Sequence, residues 1–428
     1  MEFLAGDALQ GRASGSRDEW IAASYLGAQM QQSGLEPLGD AGGFVQQIEI
    51  ERLETSAAPV LSAGALRFTH GEEMRVQTVG STRVSGPLQK YSADLRLKAG
   101  AVVLLAPATA PSAPGRPSPA ALAATAGAAA LLSLEKSSAI PSQSGRLPAP
   151  PPRLVGVAGA GSDRPTSVVL IKEAYDSIAA LPEGTIVAID VQTKPLARTQ
   201  TWNAVGRLPG SDPASAGEVI LLSAHLDHVG LRPGDGSAPA ADVIYNGADD
   251  DASGTVAVLE LARALAAGAR PRRTIVFAFF GSEETGGFGS RYFVDRPVIP
   301  LPQLVANLQF EMIGRPDGAV APRTLWLTGY ERSTLGSALA AQGARLVQDP
   351  HPEQSFFTRS DNIRFARRGV VAHTVSSYGL HKDYHRPSDE VQLIDFPHMT
   401  DAIRSMLEPI RWLANSGFRP SWHPGMQP

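Results

Sequence analysis

From residue 197 onward, short runs of unbroken apolar residues alternate with segments of helical period, and this alternation constrains the fold more than any other feature. GEVILLSAHLDHVG, TIVFAFFGSEETG, QLVANLQFEMIG, TLWLTG and VVAHTVSS read as strands. A strand that is apolar at every position, rather than every second one, is covered on both faces. ASGTVAVLELARALAAG reads as a helix with Val258, Leu261, Ala262 and Leu265 on one side. ERSTLGSALAAQGARL and SDNIRFARRG are also helical, the second with Ser360 as its expected N-cap. A last helix over about 396–416 turns Ile403, Met406, Leu407, Ile410 and Leu413 inward. Buried strands interleaved with helices predict an α/β fold, with a mostly parallel central sheet and helices on both faces.

The first 196 residues are organised differently. RDEWIAASYLGAQMQQSG (17–34) predicts a helix capped by Gly34, and strands and turns follow to about Val84. Residues 86–196 hold two proline tracts, PSAPGRPSPA and LPAPPPRL, among short strands and small-residue helix. SVVLIKEAYDSIAAL and GTIVAIDV close the stretch as strand, helix, strand. The prolines read as stiffeners of surface loops. The expected division is 1–85 as the N-terminal part of the main domain, 86–196 as a small inserted α/β domain, and 197–428 as the domain that carries chemistry.

Composition removes several function classes. Lys and Arg number 38 against 42 Asp and Glu, a net charge of −4, which argues against a coat for nucleic acid or an anionic membrane. There is no cysteine, so disulfides, thiolate zinc sites and thiol nucleophiles are excluded, and any metal must bind through His, Asp and Glu. No apolar run reaches the ~18 residues that span a bilayer. MEFLAGDALQGRASG lacks the basic and apolar regions of a signal peptide. The expected location is secreted or periplasmic with a leader removed, the cytoplasm being the alternative.

In sheets of this kind ligands bind beyond the carboxyl ends of the strands. His225, Asp227 and His228 end one strand, and Asp249, Asp250 and Asp251 precede the next helix. Glu283 and Glu284 end another strand, Glu311 a further one, and His381, Asp383 and His385 lie in the loop after the last. Each piece alone has a bland reading: a DDD run is ordinarily a solvated turn or helix start, and an EE pair is ordinarily surface charge. Together they crowd carboxylates at one edge, where they repel unless cations neutralise them. Two metal ions held by carboxylates and imidazoles would do so. There is no phosphate-binding G-x4-G-K-[ST] loop and no G-x-S-x-G nucleophile turn.

AHLDHVG, NGADDDASG, FAFFGSEETGGFGS, FEMIG and DYHRPSDE, in that order, resemble the five motifs of the M28 family of zinc peptidases. That family includes bacterial aminopeptidases and glutamate-carboxypeptidase-like enzymes. The resemblance covers about 197–400 and extends to LQGRASGSRDEWIAASYL, while 86–196 is similar to the family's protease-associated insert only in position and strand pattern. It implies the zinc-exopeptidase fold and two zinc ions per chain. Asp250 would bridge them, Glu284 and His385 completing one site, His225 and Glu311 the other. Glu283 would be the general base. Asp227 would orient His225, and Asp389 would do the same for His385. Tyr384 would steady the developing oxyanion, and the Asp250–Asp251 peptide would be cis.

The implied activity is hydrolysis of a peptide substrate at a chain terminus, foremost as an aminopeptidase. Many aminopeptidases of the family carry Asp at the position of Glu311, which leaves the polarity open. The alternatives are a carboxypeptidase of the same family, a glutaminyl-cyclase-like transferase and a non-catalytic receptor-like relative.

Overall fold

The computed structural model describes residues 1–92, 97–107, 120, 122–123, 126–135, 147–157, 165–232 and 242–428. The chain forms two units, Met1–Ile48 with Gln200–Pro428, and Glu49–Thr199. The smaller unit therefore begins well before residue 86, because strands between residues 60 and 90 join its own sheet.

The apolar runs become β2 (Val219–His225), β3 (Thr274–Phe280), β4 (Leu304–Phe310), β5 (Leu325–Leu327) and β7 (Ala372–Ser376); the same sheet takes in β1 (Thr193–Leu208), which belongs to the larger unit from Gln200 onward, and β6 (Leu346–Gln348). Their order across the sheet is β6–β5–β7–β4–β2–β3–β1. The central four, β3, β2, β4 and β7, are mutually parallel, while β1 and β5 run antiparallel to their neighbours β3 and β7. Every residue of those four strands is buried, as two covered faces require. Successive residues feed opposite cores. Leu222 and Phe277 join one apolar cluster with Leu26, Val258 and Met406, whereas Leu221 and Val276 join another with Phe293 and Phe365.

The helices that cover the sheet are α1 (Arg17–Gln32), α2 (Gly254–Ala266), α3 (Phe288–Asp295), α4 (Leu335–Ala341), α5 (Asn362–Ala366) and α6 (Phe396–Asn415). The Ser16 hydroxyl accepts from the Glu19 N–H, and the Glu19 carboxylate accepts from Gly15 N–H at 2.7 Å, so α1 starts on reciprocal caps. In α6, Met406, Ile410 and Leu413 are buried, and Ile403 and Leu407 pack partly buried against the same core. One sequence expectation fails at α5. Its N-cap is Asp361, and the Ser360 hydroxyl instead donates to the Glu311 carboxylate.

The smaller unit is a sheet in the order 66–69, 60–63, 186–190, 83–90, 102–104, 130–134, 166–170, 74–78. Leu61, Val76, Leu88, Val102, Leu132, Val168 and Ile189 form its core, with Ile178 of the helix Lys172–Ala180. The predicted closing strand–helix–strand is present as Thr166–Leu170, Lys172–Ala180 and Ile186–Asp190. Most of the first proline tract, 111–119, lies outside the described residues.

Candidate metal centre

β2, β3 and β4 are parallel, so their carboxyl ends deliver His225, Glu283–Glu284 and Glu311 to one edge of the sheet. The Asp249–Asp251 segment leads into α2 beside them, and the loop after β7 adds His381–Asp389. The Asp250–Asp251 peptide is cis. Three residues here have left-handed backbones: Ser282 at φ 55°, Met312 at φ 52° and His385 at φ 52°. Such conformations cost energy in non-glycine residues and gather at functional sites.

The His225 ring is oriented by backbone. Its Nδ1–H donates to the Asp227 carbonyl at 3.1 Å, which leaves the Nε2 lone pair 3.1 Å from Asp250 Oδ1. Two lone pairs face each other across that gap unless a cation or proton lies between them. The Asp227 carboxylate stands 3.8 Å from His225 Nδ1 and has other partners. It accepts from Glu283 N–H at 2.9 Å, Glu284 N–H at 3.3 Å and the Ser14 hydroxyl at 2.6 Å. Asp227 thereby positions the turn that carries both glutamates.

On the other side of Asp250, four donor atoms converge. His385 Nε2 is 3.1 Å from Asp250 Oδ2 and 3.0 Å from Glu284 Oε1. His228 Nδ1 is 2.8 Å from Glu284 Oε1 and 3.8 Å from Asp250 Oδ2. All four atoms lie within 4.8 Å of one another, and none has a hydrogen-bond partner among the described residues. Buried polar atoms are nearly always paired. A cluster of orphaned nitrogens and carboxylate oxygens is the donor set of a cation of the zinc type.

The electrostatics agree. Burial and the Asp250 charge push the Glu311 carboxyl up to about 7. Burial, with Glu311, Asp361 and Glu284 nearby, holds the Glu283 carboxyl well above the usual range. Asp250 is held well below it, because His225 and His385 outweigh its burial. Without positive charge at this edge, several carboxyls would carry protons at neutral pH.

Some sequence-named residues act elsewhere. Asp389 accepts from the Asp249 and Asp250 N–H groups, both at 3.0 Å, so it braces the acidic turn and not His385. His381 bonds Asp249 Oδ2 at 2.9 Å, and Asp383 bonds Arg315 at 2.8 Å. Tyr384 stacks on His385 with ring centroids 4.0 Å apart. With Asp250, Glu283, Glu284 and Glu311 it lines an open cleft, which Met312, Trp326, Phe356 and Tyr378 line as an apolar cluster.

The sequence profile of peptidase family M28 matches residues 203–409, the span that holds every donor named above. Over those residues the chain is similar to peptidase family M28. The chain is similar to leupeptin-inactivating enzyme 1 of Streptomyces exfoliatus, 34% identical over 118 residues, 27% of this chain and 23% of that protein. It is similar to an aminopeptidase of Pseudomonas aeruginosa strain UCBPP-PA14, 33% identical over 133 residues, 31% of this chain and 21% of that protein. The matches thus span about a fifth of the length of these curated relatives. Among solved structures, the aminopeptidase from Aneurinibacillus sp. strain AM-1 superposes with a TM-score of 0.52 at 19% identity, covering 97% of this chain and 93% of that one. A zinc aminopeptidase from Bacillus subtilis gives a TM-score of 0.50 at 17% identity, with 97% and 93% covered. The fold is shared along nearly the whole chain, the smaller unit included.

The set of residues implied by the resemblance leaves out four supports of this centre. Arg12 is buried and donates to the Leu226, Asn246 and Gly247 carbonyls at 2.9, 2.7 and 3.2 Å. Glu19 is buried and accepts from Ser282 N–H at 2.9 Å and the Thr201 hydroxyl at 2.6 Å. Ser360 holds Glu311, and His228 joins the donor cluster. An Arg and a Glu in the polar stretch QGRASGSRDEW carry no local sign of burial.

Proposed function

We propose that this chain is a dizinc exopeptidase that removes residues from the amino end of peptides. The observation that carries the reading is the convergence of unpartnered buried donors around Asp250, with Glu283 beside them in the same cleft. Asp250, Glu284 and His385 would hold one zinc, and Asp250, His225 and Glu311 the other. When bound, the two ions supply Lewis acidity and lower the pKa of a water. Glu283 takes the proton from that water and returns one to the leaving amine. Asp227 fixes the backbone of Glu283, and Tyr384 offers a phenol to the oxyanion. The apolar cluster that lines the cleft would take the substrate side chain. A site outside the cytoplasm remains part of the proposal; among the described residues no helix is long and apolar enough to cross a membrane.

Arg359 supports a second reading, a carboxypeptidase. It lines the cleft with its guanidinium 4.9 Å over the Phe356 ring, where a substrate carboxylate could reach it. One experiment separates the two. The zinc-loaded protein is given leucine p-nitroanilide, free dipeptides and N-acetylated dipeptides. Anilide release that stops on chelation and on N-acetylation is expected. Cleavage of the acetylated peptides alone would establish the carboxypeptidase, and no zinc-dependent cleavage of any would remove both.

A further inference from the structure

His228 stands apart from the five ligands that the motif order implies, and both its ring nitrogens are buried without a hydrogen-bond partner among the described residues. The residue is 1% exposed. A histidine so placed is costly unless something unseen is bound to it. Its surroundings hold the ring still. The His228 N–H donates to the Arg12 carbonyl at 3.1 Å, which ties this stretch to the N-terminal segment. The ring lies against Gly247, where an added Cβ would sit 2.5 Å from two ring carbons. The Arg12 guanidinium clamps the carbonyls of Leu226 and Gly247 that flank it.

The ring points its Nδ1 at the same two oxygens that His385 Nε2 faces. His385 is 3.0 and 3.1 Å from Glu284 Oε1 and Asp250 Oδ2, and His228 is 2.8 and 3.8 Å from them. Ligands ~2.0–2.2 Å from a tetrahedral zinc lie roughly 3.3–3.6 Å from one another. The four separations straddle that value. A plain hydrogen bond from His228 to Glu284 does not replace this account, since neither atom is satisfied by that contact despite its length. The two imidazoles meet edge-on, with centroids 5.4 Å apart and planes at 75°, as two rings aimed at one point would.

We propose that His228 is a fourth protein ligand on the Asp250–Glu284–His385 side, which closes that metal position and leaves the His225–Asp250–Glu311 position as the open one. The inference rests on the two-metal reading above. Four protein donors saturate a tetrahedral zinc, whereas three leave a place for water or substrate. The two positions are therefore unequal. The closed one binds first and is the harder to empty, and the open one exchanges.

The test uses the full chain stripped of metal. One equivalent of zinc is added, and X-ray absorption counts the imidazoles around it. Two imidazoles are expected, His228 and His385; a single imidazole overturns the proposal. Competition with a coloured chelator then measures the affinity of each equivalent in the parent and in His228→Phe and His228→Gln. The first equivalent should bind at least tenfold more weakly in both variants, with the second changed less. Unchanged affinity of both equivalents in a folded variant also overturns it. If the parent binds two zincs but the variants match it, only the role of His228 falls. If the parent binds none, the metal reading falls with it. Because the imidazole count is made on the parent chain, a variant that fails to fold does not block the decision.

Discussion

Glu283 and Glu284 are neighbours to which the proposed function gives different duties, and the surroundings of the two carboxylates differ accordingly. Glu284 faces His228 and His385 at 2.8 and 3.0 Å. The Glu283 carboxyl is held high by burial and then by the field of Glu311 and Asp361. Glu283→Gln keeps the shape and removes the proton acceptor, so kcat should fall by ~10²–10⁴-fold with zinc content unchanged. Glu284→Gln should release zinc. Elemental analysis beside kcat for both variants checks this, and metal loss in the first with retention in the second would reverse the roles. A second residue-scale prediction concerns His373, inside β7 and away from the metal donors. Its Nδ1–H donates to the Thr328 carbonyl and its Nε2 accepts from the Ser333 hydroxyl, both at 2.7 Å, which demands the neutral ring. Burial pushes its pKa down to about 4. The unfolded value is ~6.5, so the unfolded chain takes up a proton before the folded one does. This stabilisation is fully present above about pH 7 and is lost as pH falls from about 6.5 to about 4, a loss of up to ~3 kcal/mol. Urea unfolding of the parent and His373→Gln across that range should show a shallower acid slope in the variant. Equal slopes would mean that His373 does not titrate as its partners require.

At the scale of elements, α2 begins on a glycine for a reason of space. A Cβ on Gly254 would lie 2.3 Å from both Asp251 Oδ1 and the Phe310 carbonyl. The helix start is thus pressed against the end of β4, and the same Asp251 oxygen accepts from Gly254 and Met312 N–H at 3.0 and 3.1 Å. Gly254→Ala should cost ~1–3 kcal/mol by overpacking and should weaken zinc binding by displacing the acidic turn. Gly217→Ala meets open space and should stay within ~0.5 kcal/mol of the parent. Denaturant midpoints of the two variants test the contrast, and a neutral Gly254→Ala would remove the close-packing account. The same scale explains what was legible in the sequence. Buried parallel strands leave unbroken apolar runs, so β2, β3, β4 and β7 could be read directly, and polar residues at their ends marked the edge that binds. Arg12, Glu19 and Ser360 could not be read, because each reaches the centre only through a chain return that no local pattern encodes. The start of the smaller unit was misplaced for a related reason: short strands such as 60–63 and 74–78 look alike whichever sheet they join.

On the scale of the whole chain, every donor named for the metals lies in Met1–Ile48 with Gln200–Pro428, and none in Glu49–Thr199. The apolar clusters divide the same way. Those around Phe277 and Phe365 draw on the larger unit, and the one around Leu88 and Val168 draws on the smaller. Metal binding stabilises only the structure that binds it, by ~2.7 kcal/mol when free metal is a hundredfold above Kd. Removing zinc should therefore lower the protection of amide hydrogens in the larger unit, most of all near Asp250, Glu284 and His385. Protection in the strands 83–90, 130–134 and 166–170 should hold. Hydrogen exchange read peptide by peptide, with and without a chelator, makes the comparison on the intact chain. A loss of equal size in both units would show that they unfold as one cooperative body, and the metal would then support the smaller unit as well as the larger.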